Sequence, residues 1–320
     1  MWDCTPGNRN QQWTRDGEQW KWTGTNKCLD LPNGDAKPGN FLHIWTCVGN
    51  DFQRWEYGGA ASPAPAPPAP PPPSGGGTAT GAWRQVWADE FNGSSLDESK
   101  WAYEDWAPRT VNNELQRYTV RRQENVRVEG GHLVIEARRD GFAGSEYSSG
   151  RIKTQGKASW AYGKMEARMQ MPGGFGTWPA FWMMPDNQSR GWPACGEIDV
   201  LENVGYDQDR VHGTIHSNDY NWRNPSSQRT GSTIQGGVTT GYHTYAIEWS
   251  PTEIKWFVDG RQYYQSPNDS GGDDNKWPFN KNFHLILNLA VGGDWGGAQG
   301  VDPNIWPRRL LVDYVRVFQK

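Results

Sequence analysis

The sequence predicts an all-β protein whose main body is two antiparallel sheets packed face to face. Three observations carry this reading. From Trp83 to Lys320 apolar and polar residues alternate in short runs, as half-buried strands require, and helical periodicity is nearly absent. Gly, Asn, Pro and Asp punctuate those runs at the spacing of turns. Many short strands spread over about 240 residues imply a β-sandwich rather than a single sheet.

Taken in chain order, residues 1–57 hold an internal repeat. Trp2-Asp3-Cys4 returns as Trp45-Thr46-Cys47, Gln12-Trp13 returns in form as Arg54-Trp55, and Cys28-Leu29-Asp30-Leu31 opens the second unit. Cys28 and Cys47 sit together in this module and could pair, whereas Cys4 has no obvious partner. The period and these residues resemble the ricin-type β-trefoil lectin, carbohydrate-binding module family 13, over one full repeat and the tail of the one before. A trefoil closes its core with three repeats, so the segment reads as an incomplete β-trefoil fragment. The resemblance implies that Asp30, Trp45 and Gln53 hold sugar. Phe52 stands where that family has Asn, so a non-binding remnant is the competing reading.

Residues 58–80 read as a linker. The run from Ser62 to Pro73 is dominated by proline and should be an extended spacer, and Gly75-Gly76-Gly77 should be a flexible joint. The remainder, 81–320, carries the strands. Examples are His132-Leu133-Val134-Ile135-Glu136-Ala137, Lys164-Met165-Glu166-Ala167-Arg168, Thr244-Tyr245-Ala246-Ile247-Glu248-Trp249 and Leu311-Val312-Asp313-Tyr314-Val315-Arg316-Val317. Val258-Asp259-Gly260-Arg261 is a hairpin signal between two of them.

Composition narrows the partners. The formal charge is −4 with no basic stripe, which argues against nucleic acid. No apolar run reaches the length of a membrane-spanning helix. The opening Met1-Trp2-Asp3-Cys4 does not read as a signal peptide, yet the Gly-, Pro- and Trp-rich short-strand character points to a secreted, extracellular monomer whose signal lies outside this chain. Tryptophan is the outlier, with 20 Trp beside 12 Tyr and 10 Phe. That surplus favours a carbohydrate cleft, because the apolar face of a pyranose packs on an aromatic ring while its hydroxyls bond at the rim.

The chemistry concentrates in Glu197-Ile198-Asp199-Val200-Leu201-Glu202. Alternation places Glu197 and Asp199 on one strand face and Ile198 and Val200 on the other. Glu202 breaks that parity, and one extra residue at Val200 or Leu201, as in a β-bulge, brings all three carboxylates to one face. The two glutamate Cα atoms would then be roughly 13 Å apart. Side chains leaning together would bring the carboxyls to about 5–6 Å, near the separation that retaining glycosidases use. Tryptophans flank the motif at Trp178, Trp182 and Trp192, and the strand Val211-His212-Gly213-Thr214-Ile215-His216 puts both histidines on one face. Cys195 shares a face with Glu197 by parity and reads as a small filler beside the site.

These residues, together with Asp89-Glu90-Phe91-Asn92-Gly93, Asn112-Asn113-Glu114-Leu115-Gln116, Ser149-Gly150-Arg151-Ile152, Trp178-Pro179-Ala180-Phe181-Trp182 and Asn288-Leu289-Ala290-Val291-Gly292-Gly293, resemble glycoside hydrolase family 16 and its laminarinase-like endo-β-1,3-glucanases. The resemblance implies a β-jelly-roll with an open concave cleft, and retaining endo-hydrolysis of β-1,3-glucan. It implies Glu197 as nucleophile, Glu202 as acid/base and Asp199 between them, with His216 as their partner. Trp178 and Trp182 would stack on sugar, and Asn112, Glu114, Arg151 and Trp295 would make rim contacts. No cofactor is needed for such chemistry, but relatives often carry a structural calcium ion, for which Asp313, the Gly131 carbonyl and Glu90 occupy the matching places. An agarase or other galactan hydrolase, or a non-catalytic β-glucan-binding protein, remains the alternative.

Overall fold

Alternation along the chain resolves into three antiparallel sheets and one short parallel pair, Gln116–Tyr118 with Tyr147–Ser149, in the computed structural model, which describes residues 13–16, 19–30, 43–48, 53 and 82–320. The chain forms two units, Met1–Thr78 and Ala79–Lys320. Cys4 and the 58–80 linker lie outside the described residues.

In the first unit, strands Trp13–Asp16, Gln19–Trp22, Lys27–Asp30 and His43–Thr46 make one four-stranded sheet in sequence order. A Cys28–Cys47 disulfide ties its third strand to the residue after its fourth. Gln53 is fully buried, with its amide donating to the Thr46 carbonyl and its oxygen accepting from the Val48 N–H. It braces the sheet and has no surface to offer a sugar, contrary to the expectation for this residue. Asp30 is likewise buried and paired with His43 at 2.7 Å. Trp45, 57% exposed and stacked on the His43 ring, is the member of the expected trio that faces solvent.

The second unit holds the sandwich. One sheet has seven strands in the order Arg229–Ile234, Arg210–His216, Glu197–Glu202, Thr177–Pro185, Phe283–Val291, Arg151–Lys153, Ala102–Tyr103. The other has eight: Arg261–Pro267, Glu253–Val258, His243–Trp249, Gly163–Gln170, Arg308–Gln319, His132–Ala137, Val126–Glu129, with Arg84–Asp89 also paired to Arg308–Gln319. The hairpin expected at Val258–Arg261 is present, with Asp259 and Gly260 both at positive φ as a two-residue turn requires.

One core joins the sheets. Phe181, Met183, Ile198, Leu285, Leu287 and Leu289 point inward from the first and meet Met165, Ala167, Ile247, Trp256, Val315 and Val317 of the second. Each such burial contributes about 1.5–3 kcal/mol, several times the worth of an exposed ion pair, so this layer holds the sandwich together. The central strand Phe283–Val291 is buried at every position. Its outward residues are covered as well, so a second packed layer lies on the sheet's outer face.

One core contact reaches that outer face. Trp256, fully buried, donates its indole N–H to the Asp199 carbonyl at 2.7 Å. Gly213 on the next strand makes room: a Cβ there would fall 2.2 Å from Trp256 Cδ1. Gly231, paired with Gly213, likewise leaves space for Tyr264, whose ring lies 5.0 Å from that of Trp256. Gly213→Ala should therefore destabilise the protein by about 2 kcal/mol or more through overpacking against an indole that cannot retreat. Chemical denaturation that finds Gly213→Ala within about 0.5 kcal/mol of the parent would contradict this account.

Candidate active site

The ladder positions the carboxylates. On one side of the strand Glu197–Glu202, Asp199 pairs with Trp182 and Leu201 with Phe181, so Val200 is the extra residue. On the other side Glu197, Asp199 and Glu202 stand opposite His216, Thr214 and His212. The bulge restores parity: Ile198, Val200 and Leu201 are buried, and the three acids share the outer face with both histidines.

Each glutamate is held by an indole. Trp178 Nε1 donates to Glu202 Oε1 at 3.0 Å, and Trp192 Nε1 donates to Glu197 Oε2 at 2.9 Å. His216 Nε2 lies 3.2 Å from Asp199 Oδ2 and 3.7 Å from Glu197 Oε1. Burial first, and then the neighbouring charge of Asp199, push Glu197 up to about 8. Burial pushes Asp199 up to about 7, against the lowering effect of its hydrogen bond with Glu197. Glu202 is raised well above its ordinary range by burial, then by the charge of Asp199, with Glu197 adding to it. Three acids this close titrate as one unit. Glu202 faces two carboxylates, and their charge favours its protonated form. Burial, followed by the charge of Arg210, holds His212 down at about 4, so it remains a neutral ring against Trp295.

A second network lies beside the acids. Trp182 Nε1 donates to Asn288 Oδ1 at 2.7 Å, and Asn288 Nδ2 donates to the Tyr118 hydroxyl at 3.0 Å. Tyr118 in turn donates to Glu114 Oε2 at 3.3 Å, and Glu114 also accepts from Asn112 and Gln116. Glu114 is thus buried beneath the rim instead of on it. Arg151 is corrected in the same way. It is buried, ion-paired to Glu104, and lies between two rings, with Cζ 4.0 Å from the Trp106 centroid and 4.7 Å from that of Trp182. Asn112 is exposed and Trp295 half-buried, the latter packing edge-on against Trp178 with ring centroids 5.5 Å apart. Cys195 is fully buried in a small cluster with Met184 and Ile286, packed against Trp182 and Trp192.

The residues matched to a calcium site do not make one. Asp313 is paired with Arg168 at 2.6 Å, Glu90 is paired twice with Arg316 at 2.8 Å, and Gly131 is a turn glycine at positive φ. Both carboxylates are already neutralised by arginine, so this donor set does not fit a hard dication. Sequence reasoning gave no role to Trp192, Asn288, Tyr118, Trp106 or Glu104. For Trp192 the available signal was an indole five residues before Glu197. For the others no local pattern exists, because their partners are distant in the chain.

The crowding has a thermodynamic consequence. A carboxyl whose folded pKa is raised above its unfolded value near 4.5 destabilises the fold progressively as pH rises from that value toward the folded pKa. Below about pH 4 the group is protonated in both states and contributes no difference. Glu202→Gln should therefore melt about 3 °C or more above the parent at pH 8, with the gain shrinking toward pH 4. An equal gain at both pH values in calorimetric melts would show that the charge is not the cause.

Comparison with known proteins agrees with this geometry. The family model for glycosyl hydrolases family 16 matches residues 113–316, which include the carboxylate strand and most of both sheets. A β-glucanase of Rhodothermus marinus is 52% identical over 245 residues, 74% of this chain and 85% of the relative. A glucan endo-1,3-beta-glucosidase of Cryptopygus antarcticus is 38% identical over 74% of this chain and 93% of its own length. The X-ray structure of the laminarinase from Rhodothermus marinus superimposes with a TM-score of 0.72 at 51% identity, covering 74% of this chain and 98% of that one. A jelly-roll sandwich with the acid strand on its outer face, matched by that family model and by relatives at this identity, places the chain in glycoside hydrolase family 16.

Proposed function

We propose that this protein is an endo-acting β-1,3-glucanase that cleaves laminarin-type glucan with retention of configuration. The observation that carries the reading is the one-residue bulge at Val200, which sets Glu197, Asp199 and Glu202 on one face. In the first step Glu197 attacks the anomeric carbon while Glu202 gives its proton to the leaving oxygen, so the glycosidic bond breaks as a glycosyl ester forms. In the second, Glu202 takes a proton from water, whose oxygen attacks the same carbon and frees Glu197. The charge of Asp199 favours the protonated form of Glu202, and the proton Asp199 shares with Glu197 stays on Asp199 when Glu197 attacks. Trp192, bonded to Glu197, and Trp178, bonded to Glu202, fix the two carboxyls between reactions.

The substrate class rests on the relatives, whose names specify β-glucanase, endo-1,3-β-glucosidase and laminarinase. The half-buried indoles of Trp178, Trp182 and Trp295 support a sugar-binding surface beside the acids. In the first unit the exposed Trp45 offers an aromatic face to glycan, and the Cys28–Cys47 disulfide suits an extracellular setting. Laminarin, lichenan and agarose assayed side by side should give short oligosaccharides from laminarin first, released initially as the β-anomer by proton NMR. Glu197→Gln should bind oligosaccharide without turnover. Initial α-anomer, preference for agarose, or near-parent activity of Glu197→Gln would each overturn the reading.

Trp182 should be the costliest indole to lose. Trp182→Ala should lower kcat/KM on laminarin more than about tenfold in a folded protein, equivalent to about 1.4 kcal/mol or more. Asn288→Ala leaves the ring in place but removes its acceptor, together with the donor to Tyr118, and should cost less, about threefold to tenfold. Full activity in both folded variants would show that the ring carries no part of the substrate.

A further inference from the structure

We propose that Glu197, Asp199 and His216 also form a reversible inhibitory site for a divalent transition-metal ion of the zinc class, which occupies the nucleophile in place of substrate. The inference rests on the active-site reading above for its consequence, but not for its geometry. One ligand atom from each residue lies within 4.8 Å of the other two. The two edges that meet at the histidine, His216 Nε2 to Asp199 Oδ2 at 3.2 Å and to Glu197 Oε1 at 3.7 Å, lie on either side of the spacing of about 3.3–3.5 Å between neighbouring ligands of a tetrahedral ion with bonds of about 2.0–2.2 Å.

Two further observations point to a ligand. Asp199 is 2% exposed, yet its Oδ2 has no hydrogen-bond donor and is aimed toward His216. The three side chains are also preset by the ladder: Glu197 stands directly opposite His216, and Asp199 is two residues along the same strand. Two carboxylates this close repel each other, and a dication held between them removes that repulsion. One imidazole nitrogen and two carboxylate oxygens suit zinc, nickel or copper(II) better than magnesium or calcium, and the partly exposed side of Glu197 leaves a fourth position for water.

Affinity is limited by the far side of the histidine. His216 Nδ1 is buried without a partner, so its proton has no acceptor when Nε2 holds a metal. Metal-ligating histidines normally have that acceptor, and its lack weakens the site to one that exchanges. Among the described residues the other histidine–carboxylate pairs, His43–Asp30, His132–Asp313, His243–Asp259 and His284–Asp186, supply two ligands each and not three.

The test uses the full chain and zinc chloride. Calorimetric titration should find one ion per chain, and laminarin hydrolysis should show KM raised by zinc with kcat unchanged, reversed by EDTA. Magnesium chloride at the same concentration should do neither. His216→Asn and Asp199→Asn, each confirmed folded by circular dichroism, should bind zinc at least about tenfold more weakly. Binding at parent strength in both variants, or inhibition that lowers kcat at constant KM, would overturn the proposal. Should the protein hydrolyse no glucan at all, calorimetry on the parent and the two variants still decides whether the site exists.

Discussion

The site depends on a hydrogen bond that crosses the sandwich. Where Val200 bulges, the ladder loses its regular pairing, and a backbone carbonyl left unpaired in a core costs about as much as a lost hydrogen bond. Trp256 reaches from the opposite sheet to satisfy it, at the Asp199 carbonyl itself. Gly213 and Gly231 on the neighbouring strands admit Trp256 and Tyr264 to that layer. The bulge is therefore built into the packing. Without it Glu202 would point into the core with Ile198, and the face would carry two acids instead of three.

What that face gains in chemistry it loses in stability. Glu197, Asp199 and Glu202 are crowded in a partly dry environment, and each is pushed up by burial. The sandwich tolerates this because its apolar layer is large and continuous, running through Phe181, Leu287, Trp256 and Val317 without interruption by the acids. The same crowding makes the cluster receptive to cations. A proton shared by Glu197 and Asp199 and a dication are two answers to one electrostatic problem, and which one prevails depends on what the solvent offers.

Much of this was legible in the sequence because it is local. Period-two alternation located the strands and assigned Ile198 to the core, and the parity break at Glu202 located the bulge to within one residue. The hairpin at Asp259-Gly260 and the pairing of Cys28 with Cys47 were also local patterns. What escaped is what forms between segments far apart. Arg151 reads from sequence as a charged strand residue able to reach a rim, but folding places it between Trp106 and Trp182 with Glu104 as counter-ion. Glu114 reads as a surface acid in a polar stretch, yet Asn112 from the turn before it and Gln116 and Tyr118 from the short strand after it converge on it and bury it. Asp313 and Glu90, matched to a metal by position, are each claimed by an arginine whose pairing no motif encodes.

Those long-range contacts explain how an open face can be rigid. Trp182 is fixed at its nitrogen by Asn288 and across its ring by Arg151, and Asn288 lies directly opposite Arg151 in the ladder. From Asn288 the chain of donors runs through Tyr118 to Glu114, and Gln116, which donates to Glu114, also accepts from the Val291 N–H. Two of these links, Asn288 to Tyr118 and Val291 to Gln116, join the central strand Phe283–Val291 to the segment 112–118, so the segment that borders the face is tied to the most deeply buried strand of the sheet. A loop left to itself would sample many conformations and lose entropy on ordering around a ligand. Here that ordering is complete before any ligand arrives, because the network is satisfied internally and each member is positioned by the next. Preorganisation of this kind places the indole of Trp182 and the carboxylates of Glu197 and Glu202 on one fixed frame, the condition under which aromatic stacking and proton transfer act on the same sugar ring.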